Sequence, residues 1–190
     1  KHCGDPALEV VPVKNTGSGA HAAVLSGFRA SDAESVIVTP ADDTSNAGII
    51  DEMVRRFKDG ADLVVASRYS PGGGVENWNA VRKFGSRLAT VATRSFLRGA
   101  KATPDPLSGF FLFRSPVIHR VQLRPIGYKI LLEILTRGHT GRVASVPYVF
   151  TERAHGGSKF GWREQINFSR HLLRLALFER VGPTSRRPKG

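Results

Sequence analysis

Residues 35–67 read SVIVTPADDTSNAGIIDEMVRRFKDGADLVVAS. Two compact β-branched runs, Ser35 to Thr39 and Ala61 to Ser67, have the length and flanks of buried strands. Between them Ile49, Ile50, Met53, Val54 and Phe57 fall on one face of an amphipathic helix over 49–58. Upstream, Val10 to Val13 reads as a short strand and the turn Thr16–Gly19 leads into a helix over 20–30. The resulting β-α-β-α-β order argues an α/β fold with a parallel sheet and helices on its faces. In such sheets ligands sit beyond the carboxyl ends of the strands, which makes Asp42 and Arg68 site candidates by position.

Downstream, Tyr69 to Asn79 (YSPGGGVENWN) reads as a Gly-rich loop, followed by a helix over 81–98. Gly109 to Arg114 reads as a strand, 128–137 (YKILLEILTR) as a helix, Arg142 to Phe150 as a strand, and 162–180 as a last amphipathic helix. Residues 1–180 form one domain by length, and the Pro-, Ser- and Arg-rich residues 181–190 read as a disordered basic tail.

The chain of 190 residues carries 28 Lys and Arg against 16 Asp and Glu, a net charge of +12. That excess calls for anionic partners, whether nucleic acid, headgroups or phosphorylated substrates. No recognised nucleic-acid module accompanies the charge, so a nucleic-acid partner is not expected. The single cysteine, Cys3, excludes an intrachain disulfide. No apolar run reaches the ~18 residues of a membrane-spanning helix.

Each constellation carries two readings. Asp42 and Asp43, just past a buried strand, suit a divalent cation with oxygen ligands, or simply start a turn and cap a helix. Pro71–Gly74 is neither a P-loop nor a dinucleotide fingerprint; it is a close-approach loop or a mobile surface one. Arg68, Arg82 and Lys83 flank it, and Ser86 shares a helix face with Arg82. Guanidinium groups in that number suit a phosphomonoester, or form a solvated basic face. Arg153 and Lys159 lie in the polar loop after the last strand. The last helix sets Trp162, Ile166, Phe168, Leu172, Leu173, Leu175 and Phe178 among Arg163, Arg170, Arg174 and Arg180. It either lies in a headgroup layer or packs on the core with a basic rim.

Taken together, the motifs Ala66–Tyr69, Pro71–Trp78, Arg82-Lys83 with Ser86-Arg87, Asp105-Pro106 with Ser108–Phe110, Pro125–Lys129 with Leu132-Glu133, and Val146-Pro147 with Phe150, Arg153 and 156–159 are similar to those of a known group. The chain resembles the dolichol-phosphate mannose synthases (polyprenyl-phosphate mannosyltransferases) of the family 2, GT-A-fold glycosyltransferases. The resemblance runs from about Val11 to Leu175.

It implies a Rossmann-like, mostly parallel sheet flanked by helices. It also implies metal-assisted transfer of mannose, with inversion, from GDP-mannose to a dolichyl or polyprenyl phosphate. Asp42 falls on the second Asp of the family's Asp-X-Asp motif and is the implied ligand for Mg2+ or Mn2+; with Asp43 it marks the donor side. The first Asp falls on Pro40 and a further ligand position on Thr44. Arg68, Arg82, Ser86 and Arg153 match acceptor-phosphate positions, with Lys159 nearby; Arg68 and Asp42 are the implied catalytic pair. The group begins with a β-α-β segment that this sequence appears without, so a fragment with an open sheet edge is expected. Implied partners are a nucleotide sugar, a polyprenyl phosphate and a membrane surface, with a membrane-anchoring subunit alongside, at the cytoplasmic face as a peripheral protein. UDP-glucose in place of GDP-mannose, or a degenerate relative that only binds the lipid phosphate or an active partner, are the alternatives.

Overall fold

A computed structural model describes residues 12–15, 17, 20–40, 47–127, 129–151 and 162–181. The central sheet has the order β1-β4-β2-β5, with β1 Ser35–Val38, β2 Leu63–Ser67, β4 Phe111–Arg114 and β5 Val143–Pro147. β2 and β5 are parallel, with Leu63 opposite Val143 and Ser67 opposite Pro147. β4 runs against both β1 and β2. Three strands therefore share one direction and the fourth is inserted against them. Helices α1 Ala20–Arg29 and α2 Ala47–Lys58 precede and follow β1. A second, two-stranded sheet pairs β3 Gly74–Glu76 in parallel with β6 Val149–Thr151.

The alternation along the strands sorts two cores. Leu63, Val65, Phe111 and Phe113 point to one face with Ile130, Leu131, Ile134 and Leu135. Val64, Ala66, Phe110 and Leu112 point to the other, with Met53 of α2. A sheet buried on both faces explains why β2 reads as an unbroken apolar run rather than an alternating one. Phe28 of α1 closes the first core edge-on against Phe113, with ring centroids 5.2 Å apart.

Two expectations change. The single strand over 142–150 is two strands in different sheets. The break is at buried Tyr148, whose amide donates to the Ser67 carbonyl (3.0 Å) and whose carbonyl accepts from the Gly74 amide (3.0 Å). The chain thereby leaves β2 and joins β3. Conversely, the Gly-rich stretch is not loop throughout, since Gly74–Glu76 is strand β3. Residues 12 and 13 are not in a strand, while 10 and 11, like the tail 182–190, lie outside the described residues.

Helix α4, Ile130–Arg137, is buried from Ile130 to Leu135. Ile130, Leu131, Ile134 and Leu135 enter the sheet core, whereas Leu132 joins Leu97, Ala100, Leu107, Leu175 and Ala176 in a third core. That third core joins α3 (Ala80–Phe96) and α5 (Trp162–Val181) to the rest. Glu133 is fully buried at this junction. It accepts from His171 Nε2 (2.9 Å), Arg174 Nη2 (2.7 Å) and the Arg124 amide (3.1 Å), and pairs with Arg137 (2.8 Å). Burial pushes its carboxyl up, but the bonds from His171 and the Arg124 amide and the charge of Arg137 outweigh it, and the net shift is downward from 4.5.

Because the folded carboxyl is the more acidic one, its stabilisation is complete above about pH 4.5 and is lost as pH falls through the folded value. Urea titrations across that window should show stability falling towards acid, and Glu133→Gln should flatten that slope. Glu133→Ala at neutral pH should cost on the order of 3 kcal/mol, because it leaves buried His171 and partly buried Arg137 and Arg174 without their shared partner.

Candidate functional site

The site is built at the carboxyl end of β2. The Ser67 hydroxyl accepts from the amides of Tyr69 (3.2 Å) and Ser70 (3.0 Å), a side-chain turn that ends the strand sharply. Gly73 donates to the Ser70 carbonyl (2.8 Å), and a Cβ at Gly73 would overlap the Ser67 carbonyl, so only glycine fits there. Gly72 sits at φ +87°, the left-handed region. The stretch is thus bonded at its base and carried into β3. At its far end Asn79 caps α3 by accepting from the Arg82 amide (2.8 Å).

Arg68 leaves this strand end into a buried bidentate pair. Its Nε donates to Asp105 Oδ2 (2.7 Å), Nη2 donates to Oδ1 (2.9 Å), and its amide also reaches Oδ2 (3.1 Å). Asp105 is fully buried. Burial alone would lower the guanidinium pKa; the bond to Asp105 and its charge reverse this and the net shift is upward, so Arg68 is a permanent cation. The guanidinium of Arg82 lies 4.1 Å from the centre of the Trp78 ring, and that of Arg68 lies 5.7 Å from the same ring. Tyr69 donates its hydroxyl hydrogen bond to Ser86 Oγ (2.7 Å). Lys129 Nζ donates to the Leu107 carbonyl (3.2 Å).

These groups surround a cavity of about 200 Å³ between α3, α5 and the loop before α4. Arg68, Arg82, Ser86 and Lys129 form its polar side, and Trp78, Ala89, Leu107 and Phe168 its apolar side. No carboxylate lines it among the described residues. Three of the sequence candidates, Arg68, Arg82 and Ser86, are therefore brought to one place. Arg153, Lys159, Asp42 and Asp43 lie outside the described residues.

Sequence reasoning gave no role to Asp105, Trp78 or Lys129. Their signal was present, since all three stand inside the quoted motifs, but only contact geometry shows what each one holds. Gln165 of α5 also reaches the cavity. The same helix buries His171, Leu175 and Ala176, so its core-packing reading is the correct one for that face.

A second cavity of about 150 Å³ adjoins the first, with Pro40, Ser108, Tyr148 and Phe150 in its wall and Arg68 and Lys129 shared. Its described lining offers two cations and no carboxylate. Among the described residues no group of three His, Cys, Asp or Glu side chains is placed to hold a metal ion. The described wall suits an anion and supplies no ligand set for a divalent cation.

Residues 4–121 match the model of glycosyl transferase family 2. The chain belongs to that family. It is 38% identical over 161 residues to a dolichol-phosphate mannosyltransferase of Pyrococcus furiosus, an alignment covering 85% of this chain and 46% of that protein. It is 34% identical over 166 residues to a polyprenol monophosphomannose synthase of Mycolicibacterium smegmatis, covering 82% and 61%. The chain thus spans about half the length of the curated relatives it matches.

In fold, this family 2 chain is similar to glucosyl-3-phosphoglycerate synthase of Mycobacterium tuberculosis, solved with Mn2+, UDP-glucose and phosphoglyceric acid. The TM-score is 0.60 at 18% identity, covering 92% of this chain and 58% of that one. Mannosyl-3-phosphoglycerate synthase of Rubrobacter xylanophilus is also similar, with a TM-score of 0.57 at 17% identity, covering 89% and 54%. These likenesses establish the GT-A-like architecture.

Asp105→Ala should destabilise the fold by about 3–5 kcal/mol by leaving Arg68 buried and unpaired, as read from urea unfolding. Trp78→Ala should leave the melting temperature within a few degrees while removing the platform under Arg82.

Proposed function

We propose that the larger cavity receives the phosphate of a polyprenyl phosphate, and that the chain is the catalytic part of an enzyme that transfers mannose to it from GDP-mannose. The supporting observation is the convergence of Arg68, Arg82, Lys129 and Ser86 on one cavity with an apolar opposite wall and no described carboxylate. A phosphate with a hydrocarbon tail is complementary to both sides. Two relatives carry names with the same chemistry, a dolichol-phosphate mannosyltransferase and a polyprenol monophosphomannose synthase.

The acceptor is ionised at neutral pH, so its phosphate oxygen attacks the anomeric carbon with no general base. The new carbon–oxygen bond forms as the bond to the diphosphate oxygen breaks, and attack from the opposite face inverts the centre. Fixed cations serve this by holding the acceptor and offsetting repulsion between two anions, at no reorganisation cost during the step. Arg68 is held in place by Asp105 and Arg82 by Trp78. Arg153 and Lys159 are proposed to complete the phosphate site from the loop after β6. Asp42 and Asp43 are proposed for the donor side, with Asp42 the residue that would hold Mg2+ or Mn2+; glycosyltransferase neighbours in fold were solved with these ions. No helix among the described residues is long and apolar enough to cross a membrane. The reaction is proposed at a membrane surface because its acceptor is a membrane lipid, with the chain peripheral at the cytoplasmic face and an anchoring subunit as partner.

A second reading, a relative that binds the lipid phosphate without transferring sugar, draws on Pro40, which brings no side-chain oxygen to the smaller cavity. Transfer of radiolabelled mannose from GDP-mannose to dolichyl phosphate separates the two, with UDP-glucose as competing donor. Arg82→Ala should raise the KM for the lipid acceptor at least about tenfold while changing GDP-mannose binding less than about threefold. Arg153→Ala should do the same, and equal losses on both substrates would count against the acceptor site. Asp42→Asn should abolish metal-dependent donor binding, and donor binding unaffected by EDTA would remove Asp42 from that role.

A further inference from the structure

Tyr69 stands beside the site, and the proposed reaction gives it no part. It follows Arg68 on the turn that ends β2, and its amide is fixed by the Ser67 hydroxyl (3.2 Å). Its ring lies near the Arg68 guanidinium, 5.5 Å from the ring centre. Its phenol reaches across to α3 and donates to Ser86 Oγ over 2.7 Å, the usual length for a bond between two hydroxyls. Arg68 and Ser86 line the larger cavity, whereas Tyr69 stands in the wall of two outer hollows. The phenol therefore reaches the cavity through Ser86.

That bond sets Ser86 apart from the other hydroxyls of its helix. Thr93 and Ser95 donate to the carbonyls of Ala89 and Val91, one turn back. This is the resting arrangement of a helical hydroxyl, and it occupies the hydroxyl hydrogen. Ser86 is not in it: its oxygen accepts from Tyr69, so its own hydrogen remains to be donated. The cavity wall offers that hydrogen little to bond. Arg68, Arg82 and Lys129 carry donors alone, and Gln165 is the single other described lining residue whose side chain has an acceptor. A hydroxyl that accepts from a phenol is polarised by it and becomes the stronger donor to the next group in the chain.

We propose that Tyr69 is a positioning residue for the lipid acceptor. By donating to Ser86 Oγ it directs the Ser86 hydroxyl hydrogen at an oxygen of the bound phosphate. The relay runs from Tyr69 to Ser86 to phosphate; it moves no proton, and Tyr69 does not touch the ligand. This role rests on the phosphate reading of the larger cavity and adds to it a residue outside the cavity wall.

Calorimetric binding of geranyl phosphate, a short and soluble polyprenyl phosphate, to the whole chain tests it without any need for sugar transfer. Ser86→Ala should weaken binding about tenfold or more, the loss of one hydrogen bond to a charged group. Tyr69→Phe keeps the ring beside Arg68 and removes the phenol oxygen alone; it should weaken binding about three- to fivefold. The double variant should bind as Ser86→Ala does, because the phenol acts through that serine. The 31P resonance of saturating geranyl phosphate should move in the same sense in both single variants and no further in the double. Melting followed by circular dichroism should show all three variants folded, within a few degrees of the parent. The positioning role is overturned, and the phosphate site left standing, if Ser86→Ala weakens binding while Tyr69→Phe binds as the parent does. Losses that multiply in the double variant, or a 31P resonance that Ser86→Ala moves and Tyr69→Phe does not, overturn it equally. If the parent does not bind geranyl phosphate, or if Arg82→Ala and Ser86→Ala bind it as the parent does, the cavity is not a phosphate site and the role of Tyr69 fails with it.

Discussion

A carboxylate with no exposure to water fixes the direction of the cation at the centre of the site. Asp105 takes both oxygens to Arg68 and also accepts the Arg68 amide, so side chain and backbone are locked by one group. The pair ties the end of β2 to the chain entering β4, two segments far apart in sequence. Because both charges are buried, neither can be released without a large cost, and the guanidinium face left over is a constant feature of both cavities. The same strand end holds Ser67, whose hydroxyl gathers the next two amides and starts the turn that carries Gly73 against the strand.

A second buried carboxylate does comparable work for the outer helices. Glu133 gathers His171 and Arg174 from α5, Arg137 from its own helix and the Arg124 amide from the preceding loop. Residues before α4 place Lys129, and residues on α5 place Gln165 and Phe168, so the clamp sets the wall of the cavity opposite α3. The GYKILLE stretch is conspicuous in sequence because one helix must satisfy two cores and one polar junction at once.

The two faces of α3 divide the labour. Arg82, Ser86 and Ala89 look into the cavity, while Val81, Phe84, Leu88 and Val91 look outward. The outward row stays more than half exposed, so it joins none of the three cores. Partial burial of the inner row and exposure of the outer one give the site one wall and the molecule an apolar, basic side.

Strand, helix and their order around residues 35–67 were legible in the sequence, because β-branched runs and a helical period of apolar residues are local signals. The family was legible too, in motifs that stand at fixed spacings. Arg68, Arg82 and Ser86 were legible as candidates, since charge and position past a strand end are visible in one dimension. Three things needed the tertiary structure. The reversal of β4 and the switch of the chain at Tyr148 depend on hydrogen bonds between segments distant in sequence. The roles of Asp105, Trp78 and Lys129 depend on which side chain each one touches. Whether an apolar helical row is core or surface depends on what packs against it, so α5 turned one row into the core while α3 left its row facing water. Periodicity tells which residues share a face; only the fold tells what that face meets.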